Sequence, residues 1–177
     1  MTEHIRQRIR SPIGVEEQPV SSDDIDRAWD LMETVRFCML ATWNGRELRS
    51  RPMGAFVRRD EGAIWFFTDQ RAHKDEEIRQ YPQVNVGFAD PGGQKYVAVS
   101  GTAEVSDDRA KIRELWSMPT KFWWDSPDDP NIRLIKVTPQ AAEFWDAPGN
   151  LVSDLKVAFG LLTGTHPSSG ERMKVAM

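Results

Sequence analysis

One stretch of the sequence decides the fold: Ala63-Ile64-Trp65-Phe66-Phe67-Thr68-Asp69-Gln70-Arg71-Ala72-His73-Lys74-Asp75-Glu76-Glu77-Ile78. Its first part is rich in aromatic and β-branched residues, which favour a strand, and strand alternation places Trp65 and Phe67 on the face opposite to Thr68. A short polar turn follows. From about Ala72 the residues are helix formers, with Ile78 as the inward anchor. The stretch therefore predicts a strand, a turn and a helix in succession.

The start of this predicted helix combines cations with unpaired backbone N–H groups. His73 and Lys74 lie in the first turn, where a positive charge is unfavourable by roughly 0.3–1 kcal/mol. A phosphate at this place would accept hydrogen bonds from the backbone, from the Thr68 hydroxyl and from the Lys74 ammonium. Alternatively, the acidic residues Asp75 to Glu77 neutralise the cations and the turn is merely solvated. This stretch alone leaves both interpretations open.

The composition limits the class of protein. The chain has 177 residues, of which 40% are hydrophobic, and this predicts a single globular domain. No apolar run is long enough to span a bilayer and the N-terminus is polar, so we expect a cytoplasmic protein without a membrane partner. The net charge of −4 argues against a nucleic-acid partner. The single cysteine, Cys38, lies in an apolar run and is expected to be a buried, inert thiol.

The chain divides into three predicted regions. Residues 1–20 have no clear period and predict a flexible N-terminal arm, residues 21–163 form the folded domain, and residues 164–177 form a loose C-terminal tail. Amphipathic spacing predicts helices that begin at Ser21 or Ser22, at Asp107 and at Leu151.

The strand pattern predicts the architecture. A hairpin joins Phe37–Trp43 to a return strand within 46–57 through Asn44-Gly45, and further strands follow at 63–68, 83–89, 96–105, 132–138 and 141–145. Gly101 is a predicted bulge. Successive antiparallel strands at short spacing favour a closing barrel, because an open meander would leave long edges. The expected fold class is α+β, a mainly antiparallel β-barrel with flanking helices.

The return strand of the hairpin carries two arginines on one face. Arg49 and Arg51 lie about 7 Å apart along an extended strand, and Pro52 removes an N–H from the ladder, which predicts a sheet edge. One interpretation is a solvated edge. In the other, this face enters a pocket where Arg51 meets an anionic or carbonyl-rich ligand.

Several common site templates do not fit the sequence. Its three histidines lie far apart, and no pair has the spacing of a metal site. The sequence also lacks a Gly-x-Ser-x-Gly elbow, a Walker lysine loop and a Gly-x-Gly-x-x-Gly turn. A metal site, acyl transfer, nucleotide hydrolysis and a Rossmann site are therefore not expected.

Four segments carry a resemblance to a known family. They are Arg49-Ser50-Arg51-Pro52-Met53, then Phe66-Phe67-Thr68 followed by His73-Lys74, then Tyr96 to Val105, and finally Glu143-Phe144-Trp145-Asp146. In this order, and over about Ile25 to Ala147, the chain resembles the general stress protein branch of the pyridoxamine 5′-phosphate oxidase-like proteins. The most specific element is a lysine six positions after the threonine.

The resemblance implies a split β-barrel that forms a homodimer and holds FMN at the subunit interface. Carried over by motif, the cofactor-binding residues are Arg49, Ser50, Arg51, Pro52, Met53, Phe67, Thr68, His73, Lys74, Trp116 and Trp145. Arg51, Pro52 and Met53 would line the flavin, Phe67 and Thr68 would flank it, His73 and Lys74 would hold the phosphate, and the two tryptophans would form walls.

The sequence also departs from this family pattern. Ala72 stands where many relatives have a serine that bonds the phosphate, and Arg71 is the residue that would compensate. The segment Glu171-Arg172-Met173-Lys174 lacks the arginine and histidine pair that the oxidase itself uses for its substrate. Oxidation of pyridoxamine phosphate is therefore not expected.

Two functions follow from the resemblance. The first is a flavin-dependent oxidoreductase that takes electrons from an unidentified small molecule; FMN would carry the redox step, so no catalytic side chain is expected. The alternative is a non-catalytic module that binds or senses FMN. A deazaflavin or haem binder on the same barrel is a third reading, which the lack of a histidine in a clear axial position disfavours.

Overall fold

A single antiparallel sheet of eight strands forms the body of the molecule. The computed structural model describes residues 22–72, 74–146 and 171–177. The strands are β1 (Phe37–Trp43), β2 (Leu48–Gly54), β3 (Phe56–Arg58), β4 (Ala63–Asp69), β5 (Gln83–Asp90), β6 (Lys95–Ser106), β7 (Ile132–Asp146) and β8 (Glu171–Ala176). The helices among these residues are α1 (Ser22–Val35), α2 (Lys74–Gln80) and α3 (Arg109–Leu115), with short 3-10 turns at Arg59–Glu61, Gln70–Ala72 and Met118–Phe122.

The order of the strands shows why the sheet closes. It is β2-β1-β5-β6-β7-β4-β3, with β8 paired to β7, so β2 and β3 lie at the two ends of the sheet. These two strands are consecutive in the chain and only Ala55 separates them. The sheet must therefore curl until its ends meet, which confirms the predicted α+β split barrel with flanking helices.

The junction between β2 and β3 corrects one prediction. The sequence predicts one return strand within 46–57, whereas β2 pairs with β1 and β3 pairs with β4. The backbone N–H of Ala55 leaves the ladder and donates to the carbonyl oxygen of Arg36, at 2.8 Å. The end of α1 therefore fixes the point where the chain passes from one end of the sheet to the other.

Two apolar clusters lie on opposite faces of β4, as its alternation predicts. Ile64 and Phe66 belong to the barrel core, in which Ala28 and Met32 of α1 are also fully buried. The other face holds Trp65, Phe67 and Ala63, packed with Ile112 and Leu115 of α3. Each helix buries one apolar stripe, which is the usual way in which a short amphipathic helix is stabilised.

The long pair β6 and β7 carries the predicted bulge. Ser100 faces Ala141 while Gly101 faces Pro139, so Gln140 is the extra residue on β7. The two final strands that the sequence predicts around Pro139 are accordingly one strand, because the bulge accommodates the proline. A Cβ atom on Gly101 would lie 2.3 Å from the carbonyl oxygen of Thr138, so this position requires glycine.

The end of the chain differs from its prediction. Residues 164–177 are predicted as a loose tail, but Glu171–Ala176 forms β8 and pairs with the last six residues of β7, from Ala141 to Asp146. Beyond the bulge, that side of β7 is left open because β4 pairs only with the first part of the strand. The predicted arm at 1–20 and the predicted helix from Leu151 to Leu162 lie outside the described residues. Within the described ranges, no helix is long and apolar enough to cross a bilayer.

Candidate functional site

One end of the barrel brings together residues from β1, β2, β4 and α2. Thr42 of β1 and Thr68 of β4 are both buried polar residues at their strand ends. Arg51 of β2 reaches the Thr42 hydroxyl, and Lys74 begins the helix that follows β4. Because Ile78 anchors α2 in the barrel core, the helix lies against this end of the barrel.

Arg51 is bound within a polar network of the chain itself. Its Nη1 donates to the Thr42 hydroxyl at 2.7 Å and its Nη2 donates to Oε2 of Glu77 at 2.8 Å. The Thr42 hydroxyl in turn donates to Glu77 at 2.9 Å. Arg49 makes a longer contact with Glu77, at 3.4 Å, and a second ion pair with Glu47. Neither interpretation of this strand face is met in full: Arg49 stays exposed, whereas Arg51 is partly buried and the anion it meets is a carboxylate of the same protein.

Glu77 is held in its charged form by this network. Partial burial acts to raise the pKa of its carboxyl, but the hydrogen bonds from Arg51 and Thr42 outweigh burial, and the pKa lies below its ordinary value. Glu77 is therefore an anion at neutral pH, fixed between two strands and a helix.

Lys74 is in the opposite situation. Burial, and after it the positive charge of Arg51, lowers the pKa of its ammonium group. Nearby carboxylates, among them Asp75, oppose this shift without reversing it, and none of the described residues forms an ion pair with Lys74. A partly buried cation that is repelled by a second cation favours the approach of an anion.

The Thr68 hydroxyl is the second group that lacks a partner. The residue is 2% exposed, and its Oγ1 has no hydrogen bond within the described ranges. A buried hydroxyl without a partner is unfavourable by roughly 1–3 kcal/mol. A phosphate oxygen next to Thr68 and Lys74 would satisfy both groups, so these side chains fit a phosphate.

The helix itself contributes less than the sequence suggests. α2 has seven residues and starts at Lys74, so its N-terminus would contribute little to binding a phosphate. The fit to a phosphate therefore depends on the side chains. His73 lies outside the described residues. Asp69 accepts a hydrogen bond from Nε of Arg71 at 2.8 Å, and mainly for that reason the pKa of Asp69 falls to about 2. Arg71, the residue that would compensate for the absence of a serine at position 72, is therefore paired with Asp69 in this structure.

An aromatic cluster lies on the other face of β4. The ring of Phe67 contacts Trp116 edge-on with centroids 6.2 Å apart, and also contacts Phe56 at 5.4 Å and Trp124 at 5.9 Å. Phe67 and Trp116 were predicted as site residues, whereas Phe56 and Trp124 were not. The run Phe122-Trp123-Trp124 is the sequence signal that could have pointed to this cluster.

The remaining predicted residues are distributed over different surfaces. Ser50 and Pro52 are exposed, and Pro52 stands opposite Met39 of β1, while Met53 points inward and packs against the barrel core. Trp145 lies at the far end of β7, whereas the partner of Thr68 on that strand is Arg133 near its start. A single chain therefore does not bring Trp145 to Thr68 and Lys74.

A separate open groove of about 1080 Å³ lies at the opposite end of the β1–β2 hairpin from Thr42. Its described lining includes Arg36 and Phe37 at the end of α1 and the start of β1, and Gly54, Ala55 and Phe56 at the junction of β2 and β3. Gly54 is three residues beyond Arg51, or about 10 Å along an extended strand. Sequence reasoning missed the groove because it depends on the contact between α1 and the junction.

Comparison with known proteins agrees with this geometry. The family described as "Pyridoxamine 5'-phosphate oxidase like" matches residues 23–168. General stress protein 26 of Bacillus subtilis is 30% identical over 121 residues, which are 67% of this chain and 85% of the relative. A crystal structure assigned to general stress protein 26 of Jannaschia sp. CCS1 is 31% identical with a TM-score of 0.74, over 89% of this chain and 100% of that one.

A further solved structure is described as a general stress FMN/FAD binding protein from Xanthomonas citri. It is 25% identical with a TM-score of 0.63, over 71% of this chain and 89% of that chain. The match to the family profile covers most of the sequence, and the fold agrees with it. The chain belongs to the pyridoxamine 5′-phosphate oxidase-like family.

Proposed function

We propose that the protein binds FMN, with the phosphate held by Lys74 and Thr68 and the ring lying along β2. The observation that carries this proposal is the pair of unsatisfied groups at the barrel end. Lys74 is partly buried with a lowered pKa and no ion pair among the described residues, and Thr68 has a buried hydroxyl without a described partner. A phosphate is dianionic and rich in acceptors, so it complements both groups.

One further observation supports FMN as the ligand. The Xanthomonas citri relative is described as an FMN/FAD binding protein. By the same reasoning, His73, adjacent to Lys74 in sequence, is proposed to help hold the phosphate.

We further propose that the protein is a flavin-dependent oxidoreductase. Bound FMN supplies the redox chemistry, while the side chains of this chain bind the phosphate, orient the ring and shield it from water. This proposal needs no acid or base from the protein, in keeping with a site whose polar groups gather at the phosphate end.

The absorbance spectrum of freshly purified protein, followed by reduction kinetics, tests the function. We expect flavin absorbance bands, and reduction of the bound FMN by NADH or NADPH that is faster than reduction of free FMN under the same conditions. Bound FMN that no donor reduces faster than free FMN would favour the alternative, a binding or sensing module. A colourless protein that does not take up added FMN would contradict both.

The same proposal includes a homodimer. The outer face of β2 and β1, continued across β5 onto β6, exposes five large hydrophobic residues: Phe37, Met39, Trp43, Leu48 and Tyr96. Exposed apolar surface of this extent is typical of interfaces. A single chain keeps Trp145 away from Thr68, but a second copy on this face would give Trp145 access to a cofactor site.

The cytoplasmic location stays a prediction from the sequence.

A further inference from the structure

Glu77 lies at the barrel end, and its contacts oppose the proposed ligand. Its carboxylate accepts hydrogen bonds from Arg51 and Thr42 at 2.8 and 2.9 Å, and its side chain is only 10% exposed. Carboxylate and phosphate oxygens are the same kind of acceptor for a guanidinium group. In this structure Glu77 therefore takes the position on Arg51 that an anionic ligand would need.

The available donors of Arg51 are limited. Its Nη1 is directed at Thr42 and its Nη2 at Glu77, and the side chain is 22% exposed. A phosphate that enters the site has two choices. It either displaces Glu77 from Arg51, or it binds through Lys74 and Thr68 while the negative charge of Glu77 remains close by.

We propose that Glu77 determines the phosphate selectivity of the site by competing with the ligand's phosphate for Arg51. This inference rests on the proposed function and names the residue that limits the selectivity for FMN over riboflavin. In either of the two binding modes, Glu77 weakens the contribution of the phosphate and leaves the contribution of the ring unchanged. The natural protein therefore prefers FMN over riboflavin by a smaller ratio of affinities than Lys74, Arg51 and Thr68 would give without Glu77.

The opposite role makes a different prediction. If Glu77 served only to hold Arg51 in position for the phosphate, loss of its charge would weaken FMN binding. The Glu77→Gln variant separates the two roles, because glutamine keeps the length of the side chain and an oxygen that accepts from Arg51, but it has no charge.

The experiment is calorimetric titration of FMN and of riboflavin into the full chain and its variants. For Glu77→Gln we expect FMN to bind about tenfold more tightly, the size of one charge-assisted hydrogen bond at its lower end, while riboflavin changes by less than about twofold. Glu76→Gln is the matched control, since Glu76 is exposed on the same helix; it should leave both affinities within about twofold of the natural protein.

Unchanged or weaker FMN binding by Glu77→Gln would overturn the inference, and so would an equal gain for riboflavin. If Glu77→Gln does not fold, Glu77→Asp replaces it, because aspartate is shorter by one methylene and withdraws the carboxylate from Arg51. We expect a smaller gain in FMN affinity, again with riboflavin nearly unchanged, and the same outcomes would overturn the inference. If the natural protein and the variants all fail to bind FMN, the proposed function and this inference fail together. If the natural protein binds FMN and the variant binds it no better, only the inference fails.

Discussion

Two buried threonines at the barrel end differ in whether their hydroxyl groups have partners. Thr42 is fully buried and its hydroxyl bonds to both Arg51 and Glu77, whereas Thr68 is 2% exposed and its hydroxyl has no described partner. A structural hydroxyl is expected to be satisfied by the fold. The hydroxyl of Thr68 is therefore better explained as a group kept for a ligand.

The same substitution at the two threonines should have opposite effects. Thr68→Val removes a buried group without a partner, so the free energy of unfolding should stay unchanged or rise by up to ~1 kcal/mol, while FMN affinity falls roughly five- to tenfold. Thr42→Val deprives Arg51 and Glu77 of a partner and should lower the free energy of unfolding by ~1–3 kcal/mol. Urea unfolding and FMN titration measure both quantities. A large loss of stability in Thr68→Val would mean that its hydroxyl serves the fold.

At the scale of single residues, the sequence predicts which residue types form the candidate site but not which side chains contact one another. The threonine and lysine six positions apart pointed to a phosphate, and the side chains fit one. The acidic residues after Lys74 were open to the interpretation that they neutralise the local cations. Glu77 instead binds Arg51 on a different strand, because α2 folds back against the end of β1 and β2. Such a contact depends on the path of the chain in space.

At the scale of the elements, the bulge between β6 and β7 is the sharpest local constraint. A Cβ atom on Gly101 would meet the backbone of Thr138 at 2.3 Å and that of Pro139 at 3.1 Å. Backbone atoms in the middle of a paired sheet have little room to shift. This close approach explains why a glycine stands in the interior of a long strand, where it is otherwise unfavourable.

Gly101→Ala should therefore lower the free energy of unfolding by ~1–3 kcal/mol or more, as overpacking does. Gly87→Ala is the matched control in the neighbouring strand β5, because a Cβ atom there meets nothing within 4 Å; it should be neutral or stabilising by up to ~1 kcal/mol. Thermal or urea unfolding of the two variants measures the difference. Equal stability of the two variants would show that the backbone at the bulge leaves room for a Cβ atom at position 101.

The elements themselves were largely predictable, since each has its own periodicity. Trp65 and Phe67 lie on one face of β4 and Phe66 on the other, as alternation requires. The division of the return strand at Ala55 was not predictable, because the residues on both sides alternate without a break. What changes at Ala55 is the partner strand, which is a non-local property. The pairing of β8 with β7 was missed for the same reason.

At the scale of the whole molecule, the exposed outer face of β1 and β2 is the feature that needs an explanation. Phe37 and Leu48 are 75% and 74% exposed. The fold class followed from the short spacing of the strands, but a surface of this kind was not visible in the sequence, because it depends on which face of each strand the barrel turns outward.

A homodimer through this face predicts the effect of a charge on it. Leu48→Glu should convert the dimer to a monomer in sedimentation experiments, because a buried charge without a partner is strongly unfavourable. Met118→Glu is the control, since Met118 is also exposed, at 68%, but lies next to α3. A natural protein that sediments as a monomer, or a dimer that Leu48→Glu leaves intact, would exclude this interface.

The central claim is that the end of the barrel holds the phosphate of FMN through Lys74, and one comparison tests it most directly. The dissociation constants of FMN and riboflavin are measured for the natural protein, for Lys74→Ala and for the control Lys121→Ala, whose lysine is exposed. Loss of one charge-assisted bond should weaken FMN by ~1.5–3 kcal/mol in Lys74→Ala and leave riboflavin within about twofold, while Lys121→Ala changes neither. Equal weakening of FMN and riboflavin in Lys74→Ala, or no change in either, would contradict the account.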